Sequence, residues 1–190
     1  MNYSVEITKS IRTIYEMLTD RGIDASSLES YSVEESGNTN SIFSIDVNDR
    51  IKIIYDMSSK LNIANLKKMF DIDNEDPDIE LLIFVVLAKI NTTELKKFVD
   101  MKFDYQIFDI KSLQFNISKH KTLVPKHELI TNEEEIQKIL TSYQVKRSQL
   151  PLILKTDPMA KYLNAKEKNL VKITRNSPTS GEYIVYRCVV

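Results

Sequence analysis

Few side chains in this sequence stand at spacings that suggest chemistry. Pro77-Asp78 and Asp100-Met101-Lys102 supply two acids that could hold Mg²⁺ and a lysine that could support an attacking water, the equipment of a metal-dependent nuclease. That chemistry wants the second acid and the lysine on a strand, whereas Asp100 closes a predicted helix. Short acid-x-Lys matches are also common in a chain with 28% charged residues. The five acids between Asp71 and Asp78 lack the central Gly and closing Glu of a calcium loop, so a solvated loop is expected there. His120 and His127 lie seven residues apart with no third His, and they assemble neither a zinc site nor a His-based triad. His127 is expected instead to fix the extended Val124-Pro125 segment. Gly22, Gly37 and Gly181 form no phosphate loop, and the single Cys188, set among apolar strand residues, is expected to be buried and unreactive. No catalytic residue, metal or cofactor is therefore expected, with a Mg²⁺-dependent nuclease as the alternative.

The elements around these residues read as two parts. Val5, Ile7, Ile11, Ile14, Tyr15 and Leu18 recur at helical spacing up to Asp20-Arg21-Gly22, where Gly can close the helix. Ser26 to Asn40 is a short helix or loop region. Ile42 to Val47 and Ile51 to Tyr55, split by Asn48-Asp49-Arg50, predict a hairpin. Leu61 to Phe70 returns to helical spacing. Glu80 to Ile90 is a continuous apolar run that suits a strand buried on both faces. Thr92-Thr93-Glu94 opens a helix to Met101, and Tyr105 to Ile110 and Leu113 to Ile117 are further strand candidates. The order implies a mixed sheet flanked by helices.

Beyond Asn116 the pattern changes. Leu123 to His127 is held extended by Pro125, and Thr131 to Glu135 opens a helix whose acids suit its N-terminus, with Ile136, Ile139, Leu140 and Tyr143 as its apolar face. Pro151 interrupts before Leu152-Ile153-Leu154. Asp157-Pro158 starts a short helix with Asp as cap and Pro at its first position. Leu170 to Arg175 and Tyr183 to Val189 are two strands joined by the Asn176 to Gly181 turn. The fold class is α+β, or mixed α/β, with domains 1–116 and 117–190.

Composition agrees with a globular protein of 190 residues, 42% of them hydrophobic. The longest apolar run, Leu81 to Ala88, is eight residues against the roughly 20 that span a bilayer, so no membrane partner is expected. Met1 to Ser4 lacks the basic and apolar regions of a signal peptide, which together with one cysteine predicts use of the chain as it stands in a reducing compartment. The net charge of −1 conceals an asymmetry: residues 1–116 hold 13 basic and 20 acidic side chains, a balance of −7, and residues 117–190 hold 13 and 7, a balance of +6. The two parts are expected to meet different surroundings.

Leu123 to His127, Thr131 with Glu133-Glu134, Gln149-Leu150-Pro151, Asp157 to Tyr162, Val171-Lys172-Ile173 and the run from Arg175 to Arg187 resemble, in order and nearly ungapped, the assembly domain of the fifth subunit of eukaryotic nuclear RNA polymerases, which has an archaeal equivalent. The first 116 residues resemble the family's jaw domain, which the archaeal subunit lacks, through Ile11-Arg12 to Asp20-Arg21-Gly22 and through Val99-Asp100-Met101. Asn164 and Lys168 stand where the family has two glycines. Asn tolerates a positive φ, while Lys168 implies a changed turn at Lys168-Asn169. In the last hairpin Asn176, Pro178 and Glu182 replace a customary Pro, Glu and Arg.

The resemblance implies a noncatalytic subunit of a multisubunit DNA-directed RNA polymerase. Its partners would be the largest subunit and other subunits, with downstream double-stranded DNA met weakly and without sequence specificity. Subunit-interface candidates are Pro125, His127, Pro151, Asp157, Pro158, Arg175, Tyr183, Tyr186 and Arg187, of which Arg175, Tyr183, Tyr186 and Arg187 are the expected anchors, with at least one tyrosine in the core. The family's DNA-contacting motif at the start of the jaw helix corresponds to Asn91-Thr92-Thr93-Glu94, which lacks its Pro. Thr92, Thr93, Lys96 and Lys97 are the DNA-binding candidates, opposed by Glu94. A stand-alone adaptor using the same fold is a further alternative. Localisation would be nuclear in a cell. Abundant Ile, Asn and Lys with three Gly also fit a large DNA virus, which would place the chain in the virion and host cytoplasm.

Overall fold

The computed structural model describes residues 3–29, 31, 42–48, 50–58, 79–88, 104–120, 124–177 and 181–190. They form a mixed α/β protein in two compact units, Met1–Phe115 and Asn116–Val190.

In the first unit, α1 (Ser4–Asp20) buries Ile7, Ile11, Ile14, Met17 and Leu18 along one stripe, as residues three and four apart must. Val5, expected to face inward, is 62% exposed because it precedes the stripe. The helix ends at Gly22, whose φ of +77° is one that side chains with a Cβ rarely adopt. A single turn of helix, α2 (Ser26–Glu29), follows. β1 (Ile42–Asn48) and β2 (Ile51–Asp56) form the expected antiparallel hairpin. β3 (Leu81–Val86) lies parallel to β2, and β4 (Asp104–Asp109) parallel to β3, in the order β1-β2-β3-β4. Parallel neighbours require crossover connections, and both connections fall outside the described residues, as do the helices expected over 61–70 and 92–101 and the acidic loop. All six residues of β3 are buried, as its unbroken apolar sequence predicts for an inner strand.

β2 is also wholly buried, and it carries polar groups. Lys52 runs its stem through the interior to bring Nζ within 3.6 Å of Asp46 Oδ1. The Tyr55 ring stacks on Phe43 with centroids 4.8 Å apart, and its hydroxyl lies 2.9 Å from Ser10 Oγ, joining sheet to α1. Burial pushes the Tyr55 phenol well up from its ordinary value, so the group is a neutral tether.

The strand expected over Leu113 to Ile117 does not form. Two 3₁₀ turns, Ile110–Leu113 and Ile117–Lys119, occupy that stretch. Asp109 accepts from the Lys111 N–H and Asn116 from the Ser118 N–H, both at 2.9 Å, so local side chains hold the backbone in turns. Gln114 Nε2 then donates to the Glu6 carbonyl at 3.1 Å and ties the first turn to α1.

The second unit is a sheet of order β5-β7-β8-β6, made of β5 (Lys126–Ile130), β6 (Leu152–Ile153), β7 (Leu170–Ser177) and β8 (Gly181–Val189). On one face α3 (Glu133–Tyr143) packs Ile136 and Leu140 against Ile130, Leu170 and Cys188. A second cluster joins Ala160 of α4 (Pro158–Tyr162) to Ala165, Ile153, Val171, Ile173 and Val189. Both helices are capped as the sequence demands: Asn132 accepts from the Glu134 N–H at 2.9 Å, and Asp157 from Met159 at 2.8 Å and Ala160 at 3.4 Å. Cys188 is buried, and desolvation raises its thiol further from ionisation. Among the described residues no helix is long and apolar enough to cross a membrane.

The changed turn expected at Lys168-Asn169 rested on Lys168 avoiding a positive φ, which it does not avoid. Asn164 takes φ +53° and Lys168 φ +70°, so both keep the left-handed conformation. Lys168 is held there because its N–H donates to Val189 O at 3.0 Å, while Asn169 returns its carbonyl to the Val189 N–H and its side chain to the Lys166 N–H. A residue with a Cβ carries strain in this region. Lys168→Gly is accordingly expected to raise stability by about 0.5–1 kcal/mol, read as a higher denaturant midpoint with unchanged slope; a lower midpoint would contradict this account.

Candidate partner-binding site

The interface candidates fall at three places on the second unit. His127 Nδ1 donates to the Pro125 carbonyl at 2.7 Å, so these two brace the start of β5. Asp157 and Pro158 build the first turn of α4, and Pro151 accepts from the Cys188 N–H at 2.8 Å where β6 meets β8. Each therefore has a structural task. The third place is the β7–β8 ladder, where Arg175 stands opposite Tyr183 and Arg187 opposite Val171. Side chains alternate across a strand, so Arg175, Tyr183, Val185 and Arg187 share the face of Val171, Ile173 and Val189. Tyr186 points the other way and packs edge-on against Tyr143 with centroids 5.7 Å apart, at the border of the α3 core. Of the two tyrosines, Tyr186 is partly buried against the α3 cluster and Tyr183 is 39% exposed.

Sequence reading missed the ion network on the α3 side. Glu128 Oε1 lies 2.7 Å from Lys126 Nζ and its Oε2 3.2 Å from Lys172 Nζ, because Lys126 and Glu128 are two apart on β5 and Glu128 pairs with Lys172 on β7. The spacing Lys-x-Glu was visible, but the register that adds Lys172 was not. Hydrogen bonds from Lys126 and then Lys172 hold the Glu128 carboxyl below its ordinary 4.5. A depressed acid stabilises the fold above its unfolded value and loses that contribution as pH falls through the folded one. Glu128→Gln is thus expected to melt slightly below the parent at pH 7, with the gap closing as pH drops under about 4.5; a gap that persists in acid would assign the effect to packing. Arg147, also unforeseen, brings Nη2 within 2.8 Å of both carboxylate oxygens of Glu133 and clamps the turn after α3 to its first residue.

The DNA-binding candidates Thr92, Thr93, Lys96 and Lys97 lie outside the described residues, as do Asp78, Asp100 and Lys102 of the nuclease reading. Among the described residues, no group of three or more His, Cys, Asp or Glu could hold a metal ion.

The model of the RNA polymerase Rpb5 C-terminal domain matches residues 115–189. The subunit rpabc1 of DNA-directed RNA polymerases I, II and III from Dictyostelium discoideum is 32% identical over 189 residues, with 94% of each chain covered. The chain belongs to the Rpb5 family of RNA polymerase subunits. The corresponding subunit RPABC1 of Caenorhabditis elegans is 33% identical over 147 residues, 76% of this chain and 68% of that one. Subunit Rpo5 of the archaeon Pyrococcus horikoshii is 46% identical over 77 residues, which cover 92% of it and 40% of this chain. The Pyrococcus subunit thus matches a stretch close in length to the second unit, while the similarity to the Dictyostelium subunit extends across both.

Proposed function

We propose that the chain is a noncatalytic subunit of a multisubunit DNA-directed RNA polymerase, with a C-terminal assembly domain that docks on the largest subunit and an N-terminal jaw domain beside the downstream DNA. The observation that carries this is the similarity to the Dictyostelium subunit over 94% of both chains, which takes in both units. The +6 of residues 117–190 suits docking against acidic protein surface. The −7 of residues 1–116 allows no more than a local DNA contact, for which Thr92, Thr93, Lys96 and Lys97 are the candidates. The eukaryotic relatives favour a nuclear enzyme, and the composition that would fit a viral source is one that AT-rich cellular genomes share. An affinity-tagged chain is expected to bring down the two large polymerase subunits in equal amounts. Recovery only as a free monomer would sink the proposal, and recovery with unrelated proteins would favour the adaptor. Within such an assembly, Lys96→Gln with Lys97→Gln should lower the salt slope of DNA retention by about 1–2, one per lost phosphate contact.

A further inference from the structure

The first unit ends at Phe115 and the second begins at Asn116. The chain is tied down on each side of that junction, each time within its own unit. Before it, Gln114 Nε2 donates to the Glu6 carbonyl at 3.1 Å and to the Ile110 carbonyl at 2.9 Å, which fastens the end of the first unit to α1. After it, Asn116 Nδ2 donates to the Tyr162 hydroxyl at 3.1 Å, and Ser118 Oγ lies 2.7 Å from Asn116 Oδ1 and 3.2 Å from the same hydroxyl. Each of these three side chains has both a donor and an acceptor, so the three contacts close a ring.

The ring has a firm anchor. Tyr162 is 6% exposed and ends α4, whose first turn is capped by Asp157 and whose Ala160 sits in the cluster against Val171 and Ile173. The turn Ile117–Lys119 therefore hangs from a buried hydroxyl. Phe115 lies between the two ties and shares in neither. Its side chain is 63% exposed, and among the described residues it makes no hydrogen bond and no ring contact. Hinges are a few residues that absorb changes in φ and ψ. Phe115 is the residue at the junction that can do so without breaking a side-chain tie.

We propose that the junction is a clasped hinge: the Asn116–Ser118–Tyr162 ring holds the chain to the second unit, Gln114 holds it to the first, and Phe115 carries the remaining freedom. Opening the ring lengthens the hinge as far as Lys119. The Tyr162 hydroxyl thus governs how freely one unit turns while the other is held. This follows from the fold and does not rest on the polymerase reading.

Limited chymotrypsin digestion of the full chain, with the fragment ending at Phe115 identified by mass, tests this. A protease needs a length of released chain on both sides of the bond it cuts, so the rate of cutting reports the population in which the ties are open. The parent should be cut slowly after Phe115. Tyr162→Phe keeps the buried ring system and removes the hydroxyl, and it should speed that cut by about three- to tenfold, the shift expected for a lost hydrogen bond, with the melting midpoint of the chain little changed. Asn116→Ala should act alike, and the double variant should be no faster than either, because one ring cannot be opened twice. Spin labels at Lys9→Cys and Lys138→Cys, an exposed position in each unit, should give a distance distribution that broadens in Tyr162→Phe. A cut no faster than the parent's in a folded Tyr162→Phe chain would overturn the clasp. Rates that multiply in the double variant would mean independent contacts and overturn the ring. Where Tyr162→Phe lowers the melting midpoint, Asn116→Ala with an unchanged midpoint carries the test, and the parent's rate in it would overturn the proposal. A distance distribution as narrow in the variant as in the parent would overturn the hinge.

Discussion

Phe84→Ala is expected to lower the stability of the first unit by about 3–5 kcal/mol. Phe84 sits at the middle of β3, an inner strand paired on both sides, and has no exposed surface. It is a member of the cluster with Ile54 and Leu82, against which Ile42, Ile79, Tyr105 and Ile107 pack. Removing the ring deletes buried apolar area and leaves a cavity that a strand hydrogen-bonded on both edges cannot close by moving. The consequence reaches beyond β3, since β2 carries Tyr55, whose hydroxyl links the sheet to α1 through Ser10. The chain has no Trp, so near-ultraviolet circular dichroism of its tyrosines, with the buried Tyr55 among them, is the suitable probe. A midpoint shift worth under about 1 kcal/mol would mean that the site relaxes, contrary to the packing described.

What could be read from the sequence was what local chemistry determines. The buried character of Leu81 to Val86, the hairpin at Asn48 to Arg50, the Asp157 cap and the Asn132-led helix each depend on residues within a few positions of one another. Leu113 to Ile117 failed because alternating Leu, Phe and Ile gave a strand signal while Asp109 and Asn116 offered the backbone nearer partners. Lys168 failed for the opposite reason: its own preference argues against a positive φ, and the hydrogen bond to Val189, twenty-one residues away, overrides it. The Glu128 network needed a register, which neither a composition nor a period contains. Polar residues buried in β2, Lys52 and Asp56, were likewise invisible, since their types predict exposure. The asymmetry of charge was legible from the start. Which part of the basic half points outward was not, because it follows from the alternation of β7 and β8.

That alternation sets up the second large effect. Val185→Pro is expected to unfold or severely weaken the second unit, at a cost of roughly 3 kcal/mol or more, while Ile184→Pro, one residue away, should cost less than about 1 kcal/mol. Val185 pairs with Ile173 and its N–H points into the β7–β8 ladder, so proline there both deletes an inner hydrogen bond and pushes its ring into the neighbouring strand. Val189 donates its N–H to Asn169 while Cys188 and Val190 donate to the opposite side, so by alternation Ile184, 41% exposed, turns its N–H away from β7, where among the described residues no strand pairs with it and proline loses little. The largest difference between the two substitutions is the direction of one N–H, which makes the comparison a test of register. Urea unfolding of the full chain, followed by far-ultraviolet circular dichroism, gives both values. Equal destabilisation would show that the outward edge is engaged within the free chain, and a reversed order would mean that the register of β8 is displaced by one residue.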